Sequence, residues 1–216
     1  MGAFLEKHIT NDTILGIWKC NDLLSNDLES ISLKGKDLEL FAKIKTEVGQ
    51  KQFLGVRLML RHLLPEMETI DLQKTINGRP FIKGVKQKIS ISHSGDFVAV
   101  LISENNEVGV DIELIGDKAV RVKNKFMSDL ELDCFDKLDP DLRRGFSHLL
   151  WGAKEALFKL YSKGEVSFKE NLLLAPFELK EAGTFIGNIK TSAININCEL
   201  HYFKVLNYML VCALKS

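Results

Sequence analysis

Cysteine is scarce in this chain, and its placement excludes two classes of protein. Cys20, Cys134, Cys198 and Cys212 show no Cys-x-x-Cys spacing and no nearby paired histidines, so neither a zinc site nor a disulfide framework is expected. Reduced thiols in a cytoplasmic protein are the simpler expectation. An excess of charge of either sign is also missing. The 29 Lys and Arg balance 29 Asp and Glu, which argues against a nucleic-acid binder working through bulk charge. No apolar run is long enough to span a bilayer, residues 97–102 being far too few, so no membrane association is expected. Residues 1–10 lack a basic start followed by an apolar core, and Glu6 stands where a myristoylation signal needs Ser or Thr. What is present is an ordinary globular composition, 45% hydrophobic and 27% charged over 216 residues. That is enough for one large domain or two small subdomains packed together.

The stretch Val108-Gly109-Val110-Asp111-Ile112-Glu113 is the natural centre of the chain. In a strand, residues two apart share a face, so Asp111 and Glu113 point the same way while Val110 and Ile112 pack on the other side and fix their direction. Gly109 leaves room for something to approach the backbone. Two fixed carboxylates beside open space suit a hard divalent cation; a half-buried strand with a wet polar side is the plain alternative.

In chain order, residues 13–18 read as a first strand and residues 21–29 as a short helix. Residues 37–64 are helical, with two helices meeting near Gly49 and Pro65 marking the end. Arg57 and Arg61 share a face of the second helix, either solvated or able to clamp a phosphate. After an Asn77-Gly78-Arg79-Pro80 turn, residues 89–113 read as a three-stranded antiparallel meander, with Ser92, His93 and Ser94 at its first tip and the two acids at its end. Lys118, Arg121 and Lys125 share one face of a following helix, a solvated stripe or a dock for an acidic partner. The strongest helix comes next. At about 100° per residue, Phe146, Leu149, Leu150, Ala153, Leu157, Leu160 and Tyr161 form its buried stripe, and Glu155 lies on the far side with Lys159 one turn on. Strands are expected near 167–174, 184–189, 193–206 and 208–214. Helices precede strands in each half, which suggests two similar subdomains, 1–103 and 104–216.

Taken together, the 108–113 stretch and Trp151-Gly152-Ala153-Lys154-Glu155-Ala156-Leu157-Phe158-Lys159 resemble the paired signature of the 4′-phosphopantetheinyl transferases. Gly78-Arg79-Pro80 and Ser92-His93-Ser94 match further motifs of the Sfp-type branch. The resemblance runs from about residue 53 to 159. It implies an α+β fold of two pseudo-symmetric subdomains, each with helices packed on a mainly antiparallel sheet, acting as a monomer with the active site in the cleft between them. It implies transfer of the phosphopantetheine arm of coenzyme A to a serine of an acyl or peptidyl carrier protein, with release of adenosine 3′,5′-bisphosphate. Asp111, Glu113 and Glu155 would hold Mg²⁺, for which Mn²⁺ could substitute, and Glu155 would be the base for the carrier serine, directly or through a water. Lys154 and Lys159 would stabilise phosphoryl oxygens, and Arg57, Arg79, Ser92 and His93 would surround the coenzyme A phosphates. Gly152 departs from the family, where a small hydroxyl or sulfur residue is common, and Leu114 stands where a basic residue is frequent. Two other readings of the same residues stay open: a Mg²⁺-dependent pyrophosphatase, and a carrier-binding module without catalysis.

Overall fold

Two antiparallel sheets with helices on their outer faces make up the computed structural model, which describes residues 4–21, 31, 33 and 35–215. The first sheet is built from β1 (Phe4–Thr10), β2 (Thr13–Lys19), β5 (Lys88–Ser94) and β6 (Phe97–Ser103), in the order β1-β2-β6-β5. The second is built from β7 (Val108–Leu114), β8 (Leu172–Leu174), β9 (Ala182–Lys190), β10 (Asn195–Val205) and β11 (Tyr208–Lys215), in the order β7-β11-β10-β9-β8. A short hairpin, β3 (Leu72–Lys74) with β4 (Pro80–Ile82), carries the Asn77-Gly78-Arg79-Pro80 turn, where Gly78 takes a φ of 80° that a side chain would resist. The expected α+β class therefore holds.

The sheets stack face to face, and the period of two in their strands explains why. From β6, Phe97, Ala99 and Leu101 join Leu15 and Ile17 of β2 against Val108, Val110 and Ile112 of β7 and Leu210, Cys212 and Leu214 of β11. The alternate residues Val98, Val100 and Ile102 face outward onto helix α2 (Glu47–Leu63), against Leu54, Met59 and Leu60. A strand covered on both faces has no polar side, and β6 is buried along its whole length. On the other side, helix α5 (Pro140–Tyr161) lays Leu149, Ala153, Leu157 and Leu160 on the second sheet. Between β7 and α5 come α3 (Lys118–Arg121), a 3₁₀ turn (Lys123–Lys125) and α4 (Asp129–Lys137). A capping box, in which Ser128 and Glu131 satisfy each other's backbone amides, opens α4.

Two expectations need correction. The residues at 89–113 are not a meander: β5 and β6 form a hairpin, but β7 crosses to the second sheet and pairs with β11, from Tyr208↔Leu114 to Leu214↔Val108. The reason is that β6 already has β2 on one side and β5 on the other, so no edge is left for β7. The helices of 37–64 meet earlier than Gly49: α1 (Gly35–Ala42) ends first, and α2 starts at Glu47 because the Thr46 hydroxyl accepts the Gly49 amide at 3.2 Å. Helix α4 and the β3–β4 hairpin carry too short a pattern to have been read. The helix expected at 21–29 lies almost wholly outside the described residues.

Candidate active site

Serine hydroxyls stitch β5 to β7 where the two sheet edges meet. Ser90, Ser92 and Ser94 share the inward face of β5, and each accepts a backbone N–H of β7: Val110 at 3.0 Å, Ile112 at 3.3 Å and Leu114 at 3.2 Å. These amides point away from β11, and a buried unpaired amide is costly. The ladder therefore holds β7 without a strand partner on that side. It also aims Asp111 and Glu113. Ser92 Oγ donates to Asp111 Oδ1 at 2.9 Å, and Ser94 Oγ reaches Glu113 Oε2 at 3.4 Å.

Helix α5 closes the other side through one close approach. Gly109 lies against the helix backbone, where an added Cβ would sit 1.9 Å from the Ala156 carbonyl oxygen. The room at Gly109 thus admits α5 itself rather than a ligand. With the helix this close, Lys159 Nζ donates to Asp111 Oδ1 at 2.7 Å, Ser92 Oγ at 2.9 Å and the Val110 carbonyl at 3.0 Å. Asp111 Oδ1 is doubly satisfied, while Oδ2 is buried and has no hydrogen-bond partner among the described residues.

The three acids repel one another. Burial, then the charges of Asp111 and Glu113, raise Glu155 to about 7, against partial relief from Lys159 and Lys118. Burial and then Asp111 raise Glu113 as well, and the Trp151 indole offsets part of this by hydrogen bonding to it. Among the described residues no three acid, histidine or cysteine side chains already converge as a ready metal cage. The donor set nevertheless fits a hard cation: a buried carboxylate oxygen is unpaired, and two neighbouring carboxylates are held back from ionising by burial and by the charge of Asp111.

Beside the acids opens a cavity of about 990 Å³ lined by α1, α2, the β3–β4 hairpin, β5 and the end of α5. Lys36, Arg57, Lys74, Arg79, His93 and Lys159 contribute to its wall, and among the described residues no Asp or Glu does. Phe53 and Phe158 supply aromatic surface. Asn77 Nδ2 donates to the Ser162 carbonyl at 3.0 Å and ties the hairpin turn to the end of α5. His93 lies at the surface of this wall, its imidazole held below the usual range by desolvation and by the Lys159 ammonium. Arg79 ion-pairs with Glu107, which also meets Lys88 at 3.3 Å, and Arg79 Nη2 is buried with no hydrogen-bond partner among the described residues.

Two of the expected site residues are placed differently. Lys154 is fully buried and does not line the cavity: its ammonium donates to the Phe126 carbonyl at 2.8 Å, the Phe168 carbonyl at 2.9 Å and Glu131 Oε2 at 2.7 Å. With its three protons used, it braces α4 and the 168 loop against α5 and is not a free phosphate ligand, which corrects that expectation. Ser92 is committed to Asp111, Ile112 and Lys159 and is likewise absent from the cavity wall. Its position makes it an orienter of the acid. Sequence reasoning missed Ser90, Glu131, Asp37, Glu107, Lys36 and Lys74. Only the Ser-x-Ser-x-Ser alternation at 90–94 offered a readable signal.

Comparison with known proteins points the same way. Residues 107–208 match the model of the 4′-phosphopantetheinyl transferase superfamily. The chain is 28% identical over 122 residues to the 4′-phosphopantetheinyl transferase psf-1 of Bacillus pumilus, covering 54% of this chain and 52% of that protein. It is 32% identical over 113 residues to the 4′-phosphopantetheinyl transferase AcpT of Escherichia coli K12, covering 51% and 57%. The 4′-phosphopantetheinyl transferase gsp of Aneurinibacillus migulanus is 27% identical over 143 residues, covering 64% and 60%. The chain thus spans about half the length of the first two of these relatives and somewhat more of the third. The matched region begins at Glu107, the partner of Arg79, and carries Asp111, Glu113, Glu155 and Lys159 in the arrangement described above. Over residues 107–208, this chain is similar to the 4′-phosphopantetheinyl transferase superfamily.

Proposed function

We propose that this protein transfers the 4′-phosphopantetheine arm of coenzyme A to a serine of an acyl or peptidyl carrier protein, releasing adenosine 3′,5′-bisphosphate. The observation that carries the reading is the junction at Lys159, where a basic cavity, without acids on its wall among the described residues, meets Asp111 and its two neighbouring carboxylates. Phosphates of coenzyme A suit the lysine and arginine wall, and the aromatic and aliphatic surface from Leu40, Ile44, Phe53 and Phe158 suits its uncharged parts. Asp111, Glu113 and Glu155 would hold Mg²⁺ or Mn²⁺, which supplies charge neutralisation to the pyrophosphate as its P–O bond breaks.

The chain's own residues account for the rest. Ser92 and Lys159 fix the carboxylate of Asp111, so its free oxygen points in one direction. Glu155, ionised when the cation is held, would take the proton of the carrier serine, directly or through one water, as the serine oxygen bonds to phosphorus. Lys159, Arg79 and His93 face the departing phosphate from the cavity wall. Carrier proteins would dock by the basic stretch of Lys118, Arg121, Lys123 and Lys125, with the exposed Leu130 beside it.

The subdomain division falls between residues 103 and 104, just after β6, and the working form is a cytoplasmic monomer that needs neither membrane nor nucleic acid. Free thiols at all four cysteines suit a reducing compartment, and among the described residues no helix is long and apolar enough to cross a membrane.

Intact-mass measurement of an apo carrier protein incubated with this chain, coenzyme A and Mg²⁺ tests the proposal. A phosphopantetheine mass increment is expected in the complete reaction and not with EDTA or with Glu155→Gln. Coenzyme A binding without any increment across several carriers would leave only a binding module, and no binding of coenzyme A would overturn the reading.

A further inference from the structure

Helix α1 has no buried residue, yet Lys36, Leu40 and nearby Ile44 form one wall of the cavity. Such a helix cannot be held by a core of its own; Phe41 packs onto the cluster beneath α2, and among the described residues two side-chain contacts join the helices directly. One is the pair Phe41 and Phe53, with ring centroids 5.8 Å apart. The other is a two-point ion pair in which Arg57 Nε donates to Asp37 Oδ2 at 3.0 Å and Nη2 to Oδ1 at 2.8 Å. The guanidinium also stacks on Phe53, its carbon 3.3 Å from the ring centroid. Both charged side chains are mostly shielded, 13% exposed for Arg57 and 21% for Asp37. A planar fork engaged along one edge, stacked on one face and reaching the Phe53 carbonyl with Nη1 has little left for a bidentate phosphate contact.

We propose that Asp37 is a positioning residue: by bracing Arg57 it docks α1 as a wall of the cavity, so that the two act on ligand affinity without touching the reacting atoms. Arg57, expected from sequence to contact a phosphate, is then a strap. The cations left to meet the ligand from this side are Lys36 and Lys74, for which the described residues supply no ion-pair partner. Asp37 sits next to Lys36 in the chain, so the strap also fixes the backbone from which Lys36 reaches the cavity. This inference rests on the proposal that coenzyme A occupies the cavity.

The test combines calorimetric binding of coenzyme A, steady-state kinetics and backbone amide exchange on the full chain, comparing wild type, Asp37→Asn and the charge-swapped double variant Asp37→Arg with Arg57→Asp. Asp37→Asn should weaken coenzyme A binding and raise its KM about tenfold, the loss of one charged two-point contact, while kcat and the KM for the carrier stay within about twofold. Exchange across residues 35–42 should quicken in Asp37→Asn, and the double variant should restore both affinity and protection. Unchanged affinity in Asp37→Asn would overturn the proposal. So would tighter binding, which would make Asp37 a competitor of the ligand for Arg57. If wild type itself fails to bind coenzyme A, the functional reading falls, and the exchange data still decide by themselves whether Asp37 docks the helix.

Discussion

Lys154 and Lys159 lie five positions apart on one helix, yet their surroundings divide them. Removing one partner of a buried ion pair typically costs about 3 kcal/mol or more. Lys154→Met should therefore destabilise the fold by about that amount in denaturant melts while leaving the coenzyme A affinity of the folded protein within about twofold. Lys159→Met should do the reverse, lowering affinity for the anionic ligand and leaving Asp111 Oδ1 with Ser92 as its remaining donor. Glu155 carries a pH signature. Its ordinary value of 4.5 is raised to about 7 in the folded protein, so its contribution is greatest below 4.5 and is lost as pH rises through 7. In EDTA, wild type should lose stability relative to Glu155→Gln between pH 5 and pH 8. After discount for partial exposure the difference should reach about 1–2 kcal/mol, read as diverging melting curves. A parallel pair of curves would mean that Glu155 does not feel its neighbours.

At the scale of elements, the join between β7 and α5 has no slack. Gly109→Ala would drive a methyl into the Ala156 carbonyl, and since backbone cannot yield as a side chain does, a loss of about 3 kcal/mol is expected, measurable by chemical denaturation. The same element marks where sequence reasoning stopped. Alternation of Val108, Val110 and Ile112 with Gly109, Asp111 and Glu113 made the strand and the shared direction of its acids legible. It did not reveal the partner strand, because a period of two is the same whichever strand lies alongside, and β11 is far away in sequence. The buried stripe of α5 was legible for an equivalent reason: 3.6-residue spacing identifies a covered face without naming its cover. Lys154 escaped because it borders that stripe. A lysine there reads as a reach toward the cleft, and only the position of Glu131, fixed by a capping box on another helix, shows the inward course. Arg57 was read as an anion ligand because its carboxylate partner, Asp37, is 20 positions away and carries no pattern of its own.

For the whole molecule, the site depends on both sheets being held in register, and the carboxylates should report on that through a cation. Mg²⁺ at about a hundredfold excess over its dissociation constant adds about 2.7 kcal/mol to the folded state. The melting temperature of wild type should rise with Mg²⁺, more at pH 8 than at pH 6 because Glu113 and Glu155 must ionise to bind it, and Asp111→Asn should abolish the rise. No response at either pH would remove the metal from the proposed chemistry.

The serine ladder has one more consequence. A strand edge with unsatisfied amides is a template on which foreign chains can polymerise, and proteins usually guard such edges with charge, proline or a bulge. Here β7 is guarded by hydroxyls borrowed from β5. The side chains that hold the acids in place also leave the amides of Val110, Ile112 and Leu114 unavailable to a foreign strand.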